Sequence, residues 1–286
     1  MTSGNGTVLA GLDDTSHSWL AVDWAASEAG LRGGALRLVH AVGPGPEIGY
    51  DETGAGLTRQ VFEVATSMLD DGRARVGAAH PGLPIEALLA HASPAEAILD
   101  AAEDADLIVV GTRGRGGFAG LLLGSVSLKV AAHADRPVIV ARGRLSHAAE
   151  DGIVVGVRDE RDETALRFAL AVAGRWQTGV RLIHAWSPVG RAGLVVPQMD
   201  SLDEEQRAHR ELLDRVARSA ADYPQVPVDT ELAVDAPAAA VVEASKRAAL
   251  VVLPRHPAEG RLGLRLGSVT HAVLHHAACP VAIVPT

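Results

Sequence analysis

One segment of the chain has the residue types and spacing to hold an anion. The run Gly111-Thr-Arg113-Gly114-Arg115-Gly116-Gly117-Phe-Ala-Gly-Leu-Leu-Leu-Gly124-Ser125 follows the apolar stretch Leu107-Ile-Val-Val110 and leads into a helical pattern from Val126. Glycines let backbone amides approach an anion and take up positive φ without a Cβ clash. The start of the following helix adds free N–H groups and positive dipole, worth about 0.3–1 kcal/mol per charge at an exposed site. Ser125 offers a hydroxyl and an amide, and Arg113 and Arg115 add charge-assisted bonds to phosphate oxygens. As a partly exposed contact, Arg113 is expected to matter less than the glycines, because water and salt screen it. A long glycine-rich connection after a buried strand is more often functional than a mere connector.

The elements that must position this loop occur twice. Thr7-Val-Leu-Ala-Gly11-Leu-Asp13 is matched by Ile153-Val-Val-Gly-Val-Arg158, and Leu36-Arg-Leu-Val39-His40-Ala41 by Val180-Arg-Leu-Ile-His184-Ala185. Ser93-Pro-Ala-Glu-Ala-Ile98, Leu107–Val110, Leu123-Gly-Ser-Val126 and Arg136-Pro-Val-Ile-Val140 all recur in the same order, at an offset of 143–145 residues. Such a repeat fixes the architecture before any local reading. Short Val/Ile/Leu runs alternate with Ala-rich helical segments, the pattern of βαβ units on a parallel sheet. In the first copy strands are expected near 7–12, 36–42, 84–91, 106–111 and 137–142, and helices near 17–31, 57–78, 94–103 and 125–134. Residues 43–56 read as a surface loop, and Ser93-Pro94-Ala95-Glu96 has a capping-box shape, with Ser93 accepting first-turn amides. The fold class is therefore α/β, with domains at 1–143 and 151–286 and a polar linker between them. A ligand in such a sheet binds beyond the carboxyl ends of the strands, where neighbouring connections diverge.

The spacing Gly111-x2-Gly114-x9-Gly124-Ser125 resembles the nucleotide-binding signature of the ATP-binding universal stress proteins, and the likeness covers nearly the whole chain as a tandem two-domain member. The resemblance implies two doubly wound five-stranded parallel-sheet domains, adenine nucleotide α-hydrolase-like, packed as a pseudo-dimer through the strands near 137–142 and 280–285. It implies ATP between the first and fourth strands and no strong catalytic activity; the glycine spacing and Asp13 leave room for Mg2+ beside the nucleotide. Gly11 and Asp13 match the family's acidic position near the ribose and phosphates, and Val39 the position whose backbone faces adenine. Pairing of two chains as a homodimer is a further expectation.

The second copy departs from the pattern. Its loop reads Leu253-Pro254-Arg-His256-Pro257-Ala-Glu-Gly-Arg-Leu-Gly-Leu-Arg-Leu-Gly267-Ser268, so both early glycines have become proline. Proline fixes φ and removes the amide donor. The acidic position has become Arg158, with Asp159 displaced by one residue. The ATP site is therefore expected in the first domain only. The alternative is an altered pocket in which Arg158, Arg255 and Arg261 hold a different anion.

Other chemistries fit less well. Gly114-x-Gly116-x-x-Ala119 matches a dinucleotide fingerprint, but that motif must open a helix directly. Asp13 and Asp14 resemble a phospho-acceptor pair, yet His91 and Arg142 stand where such a site needs an Asp and a Lys. His40 and His184 occupy equivalent strand ends and read as scaffold. His271, His275 and His276 lie at helical spacing without a carboxylate partner, and no Ser/His/Asp or paired-carboxylate arrangement stands out. The lone cysteine, Cys279, precludes an intrachain disulfide and is expected to be packed. A net charge of −9 gives no general support to nucleic-acid or membrane binding, and no apolar run suffices to span a bilayer. With 48% hydrophobic but only 3% aromatic residues, the cores must be built from Val, Leu, Ile and Ala. Three functions follow in order: a cytoplasmic ATP-binding regulator of stress or dormancy responses, a nucleotide-free interaction scaffold, and a weak ATP hydrolase.

Overall fold

A computed structural model of the chain describes residues 6–43, 52–114, 123–143, 150, 152–187, 199–256 and 266–286. They divide into two compact units, Met1–Arg142 and Gly143–Thr286. In the first, β1 (Val8–Gly11), α1 (Ser16–Arg32), β2 (Leu36–Ala41), α2 (Glu52–Ala79), β3 (Ile85–Ala90), α3 (Pro94–Asp100), β4 (Leu107–Gly111), α4 (Ser125–His133) and β5 (Val138–Ala141) follow in sequence. The second repeats the plan with β6 (Ile153–Gly156), α5 (Glu163–Trp176), β7 (Val180–Trp186), α6 (Met199–Ala217), β8 (Val228–Val234), α7 (Pro237–Ala244), β9 (Leu250–Arg255), α8 (Ser268–His276) and β10 (Val281–Pro285).

All strand pairs within each unit are parallel, in the orders β3-β2-β1-β4-β5 and β8-β7-β6-β9-β10. The first strand of each unit thus lies between the second and the fourth. The chain leaves β1 towards β2 on one side and β4 towards β5 on the other, so the connections part above the β1/β4 boundary and open a crevice there.

Helices α1 and α2 cover one face of the first sheet and α3 and α4 the other. The inner strands are therefore continuous apolar runs: every residue of β4 and β6 is buried. Burial of each Val, Leu or Ile side chain contributes about 1.5–3 kcal/mol. Alanine on the inner faces of α1 and α5 lets these helices sit close to the sheet; Ala21, Ala25, Ala29 and Ala165, Ala169, Ala173 are fully buried. The outermost strands β3 and β8 are partly exposed, and each takes an ion pair from its neighbour, Arg37–Glu86 and Arg181–Glu231. Cys279 is buried. Among the described residues no helix is long and apolar enough to cross a membrane.

Two local expectations change. Helix α2 starts at Glu52, inside the segment read as loop. Gly54 and Gly56 lower helix propensity by about 1 kcal/mol each, but the helix they extend is anchored further along by buried Ala65, Met68, Leu69 and Val76. At α3, Ser93 is the N-cap and Pro94 opens the helix, but the Ser93 side chain accepts no backbone amide. Its hydroxyl instead donates to Glu96 Oε2 at 2.6 Å, which holds the Glu96 carboxyl below its ordinary value, with Lys129 assisting.

Candidate functional site

The turn after β1 is held by its own polar side chains. Asp13 Oδ1 accepts the Thr15 amide at 2.9 Å and the Thr15 hydroxyl at 2.5 Å. Ser18 Oγ accepts the Asp13 amide and donates to the Asp13 carbonyl. Thr15 also caps α1, its side chain accepting from the Ser18 amide. These bonds engage one oxygen of Asp13. From beneath, buried His40 binds the Leu12 carbonyl through Nδ1 at 2.7 Å; a carbonyl only accepts, so Nδ1 carries the proton. His184 does the same to the Val157 carbonyl in the second unit at 2.9 Å, which is the scaffold role its strand-end position suggested.

The glycines supply room. A Cβ at Gly111 would stand 2.5 Å from the His17 carbonyl oxygen, and one at Gly11 would stand 2.8 Å from Ile98 Cδ1. At Gly114 it would meet Asp13 Oδ2 at 2.7 Å, so the free oxygen of Asp13 is turned towards the loop after β4. At Gly124 the nearest atoms are backbone of Thr112 and Arg113, at 3.3 and 3.4 Å. None of these four has positive φ, so close approach, rather than left-handed backbone, is what the loop requires of them. The Gly124 amide donates to the Thr112 carbonyl, which brings the start of α4 against the end of β4. Gly124 is the N-cap of α4 and has no side chain to cap the first amides, and Ser127 pins the helix by donating to the Gly111 carbonyl at 2.6 Å.

The result is a cavity of about 500 Å³ at the carboxyl ends of β1, β2 and β4. Gly11, Asp13, Val39, Gly111, Arg113, Gly114, Gly124, Ser125 and Val126, all named from the sequence, line it together. Arg115, Gly116 and Gly117 lie outside the described residues. Among the described residues, Arg113 Nε is buried and has no hydrogen-bond partner, while the side chain as a whole is half-buried, in keeping with the partly exposed contact expected from the sequence. Val39 lines the cavity with part of its backbone already in use. Its carbonyl accepts the Leu12 amide at 2.8 Å, which commits that oxygen to the sheet. Ala41, two residues on, extends beyond the end of β1 and lines the same cavity. Thr15, Ser18 and Ala41 were not picked out from the sequence; only the Thr-x-x-Ser spacing at a helix start hinted at the first two.

The matching cleft of the second unit is built differently. A 3-10 turn, Glu160–Asp162, precedes α5. Asp162, fully buried, takes over the work of Ser18: its Oδ2 accepts the amides of Arg158 and Asp159. Burial pushes its carboxyl above the ordinary value. Arg161 pairs with Asp159 at 2.8 Å and pulls that carboxyl down to about 2. Pro254 stands within β9, where β4 ends in Gly111. His256, at the position of Arg113, has Nε2 2.9 Å from Asp162 Oδ1. Of the arginines considered for an anion, Arg158 is exposed and sits 3.7 Å from Asp159, and Arg261 is outside the described residues. Nearby, His184 Nε2 lies 2.8 Å from His209 Nδ1, and Trp186 stacks on His209. Burial and the adjacent His184 lower the His209 pKa.

A doubly wound α/β unit present twice in one chain, with a glycine-lined cleft at the topological switch point of the first copy, defines the class. The family model for the universal stress protein family matches residues 4–142 and 151–285. Universal stress protein Rv2005c of Mycobacterium tuberculosis is 32% identical over 286 residues, covering 96% of each chain. Universal stress protein Rv2623 of the same organism is 32% identical over 295 residues, covering 99% of this chain and 98% of its own. A universal stress protein from Archaeoglobus fulgidus has a crystal structure that superposes with a TM-score of 0.73 at 18% identity, covering 98% of both chains. The chain belongs to the universal stress protein family, as a tandem two-domain member.

Proposed function

We propose that the first unit binds ATP, or another adenine nucleotide, with Mg2+ alongside, and that its occupancy sets the state of a surface read by a protein partner in a cytoplasmic stress or dormancy response. The observation that carries this reading is the buried Nε of Arg113, unpartnered among the described residues, in a cavity that also receives the uncapped amides of α4. A buried donor without an acceptor is costly, as is a helix start without a cap, and one polyanion satisfies both. Phosphate oxygens accept from the amides at Gly114, Ser125 and Val126 and from Arg113. The adenine edge meets the backbone beside Val39, with Ala41 offering the groups that the sheet does not use. Asp13 Oδ2 accepts from a ribose hydroxyl; beside a triphosphate its charge also favours Mg2+, which takes hard oxygen ligands.

No catalytic residue is assigned, and the reading is of a binding protein. The competing scaffold reading predicts no nucleotide at all. Mass spectrometry of the denatured, freshly purified chain distinguishes them by asking which small molecule is released. Adenine nucleotide is the expected product. A chain that releases none and shows no heat on titration with ATP and Mg2+ overturns the reading in favour of the scaffold.

A further inference from the structure

The second unit carries a cluster that the nucleotide reading does not use and that stands independently of it. Asp159, Asp162 and His256 each bring one ligand-type atom to within 4.8 Å of the others. The two Asp residues come from the turn after β6, and His256 follows β9. The oxygens of fully buried Asp162 differ in use. Oδ2 is fixed by the amides of Arg158 and Asp159. Oδ1 lies 2.9 Å from His256 Nε2, an ion pair when the imidazole is protonated, yet the two lack the alignment of a hydrogen bond, and among the described residues each is buried without a hydrogen-bond partner. A buried carboxylate oxygen and imidazole nitrogen left in that state call for an explanation other than packing. Nitrogen and oxygen ligands at about 2.0–2.2 Å from a tetrahedral zinc-sized ion stand about 3.3–3.6 Å apart, so this pair, 2.9 Å apart, needs to open by only about 0.5 Å to admit one.

We propose that Asp162 Oδ1, His256 Nε2 and a carboxylate oxygen of Asp159 bind a divalent transition ion of the Zn2+ type, with the remaining positions open to water. An imidazole beside two carboxylates selects such an ion over Mg2+ or Ca2+, which prefer all-oxygen shells. Arg161 competes with the ion, because its guanidinium holds Asp159 at 2.8 and 3.1 Å. The Arg161 amide also donates to Asp159 Oδ1, so the turn keeps its cap when the side chain swings away. The two clefts of the chain then have opposite preferences. After β4, Arg113 offers a cation to an anionic ligand; after β9, the equivalent position offers imidazole to a metal already faced by two carboxylates.

The test uses the full chain, stripped with a chelator and titrated with Zn2+ against a chromophoric competitor, with Mg2+ in a parallel titration. One tight Zn2+ per chain is expected, undisturbed by Mg2+. Asp162→Asn retains an oxygen for the two backbone amides while removing the charge, and His256→Leu removes the imidazole. Each should loosen the site by at least about 100-fold, beyond what loss of an outer-shell partner produces. Arg161→Ala removes no ligand and frees Asp159, so it should tighten binding severalfold. His271 and His275 on α8, with rings 4.5 Å apart, are the competing chelator on the chain; the double variant His271→Ala, His275→Ala should leave the tight site intact. The proposal is overturned if Asp162→Asn and His256→Leu bind Zn2+ like the wild type, or if the tight equivalent vanishes with the α8 histidines. An Arg161→Ala chain that binds no more tightly than wild type contradicts the assignment of Asp159.

Discussion

Arg113 and Asp13 bring opposite charges to one cavity, and the glycines between them decide whether a ligand reaches either. Gly114→Asp places a Cβ against Asp13 Oδ2, which would stand 2.7 Å away, and adds a second carboxylate where phosphate is expected. Calorimetry should show ATP binding lost, with the circular dichroism of the folded chain unchanged. Arg113→Ala should weaken ATP by roughly 10- to 100-fold, since a hydrogen bond to a charged group contributes about 1.5–3 kcal/mol; an effect below twofold would mean that Nε does not meet the ligand. Spacing alone identified the glycines, but not their reason, because positive φ and lack of room leave the same mark in a sequence. The commitment of Val39 to the sheet was not legible, since it depends on where β1 ends relative to β2. Asp162 and His256 were missed because they come together only through the adjacency of β6 and β9.

At the scale of elements, the two copies close the same helix end with different residues. Helix α1 ends on Gly33 at φ 64°, and α5 ends on Gln177 at φ 54°. A Cβ at Gly33 would meet nothing within 4 Å, so Gly33→Ala isolates the cost of left-handed backbone, about 1 kcal/mol. Gln177→Gly removes the same strain from the second unit but adds freedom to the unfolded chain, for a net gain of about 0.5 kcal/mol. Thermal unfolding should register the first as a fall of about 2–5 °C and the second as a smaller rise. A fall with Gln177→Gly would mean that its side chain stabilises the turn. Strands and helices were legible because apolar runs and helical periodicity are local properties. The start of α2 was not, because buried residues further along that helix outweigh its glycine-rich first turns. The Ser93 cap was legible in position but not in bonding, where a hydroxyl free to donate or accept chose the nearby Glu96 carboxylate.

For the whole molecule, the repeat predicts two equivalent folds and the departures within it predict unequal clefts. The first unit keeps Asp13, Gly111, Gly114, Gly124 and Ser125, whereas the second has Arg158, Pro254 and a buried Asp162 beside His256 in the corresponding region. Proline at the position of Gly114 removes the amide donor proposed there for phosphate, at about 1–3 kcal/mol, and a buried carboxylate adds repulsion against any polyanion. Family membership was legible from the signature and the repeat together, while the character of the second cleft needed the fold. The most direct measurement is calorimetric titration of the full chain, freed of ligand, with ATP and Mg2+ at protein concentrations well above the dissociation constant, alongside Gly114→Asp. The account predicts one nucleotide per chain in the wild type and none in the variant. Two equivalent sites, or a single site that survives Gly114→Asp, would contradict it.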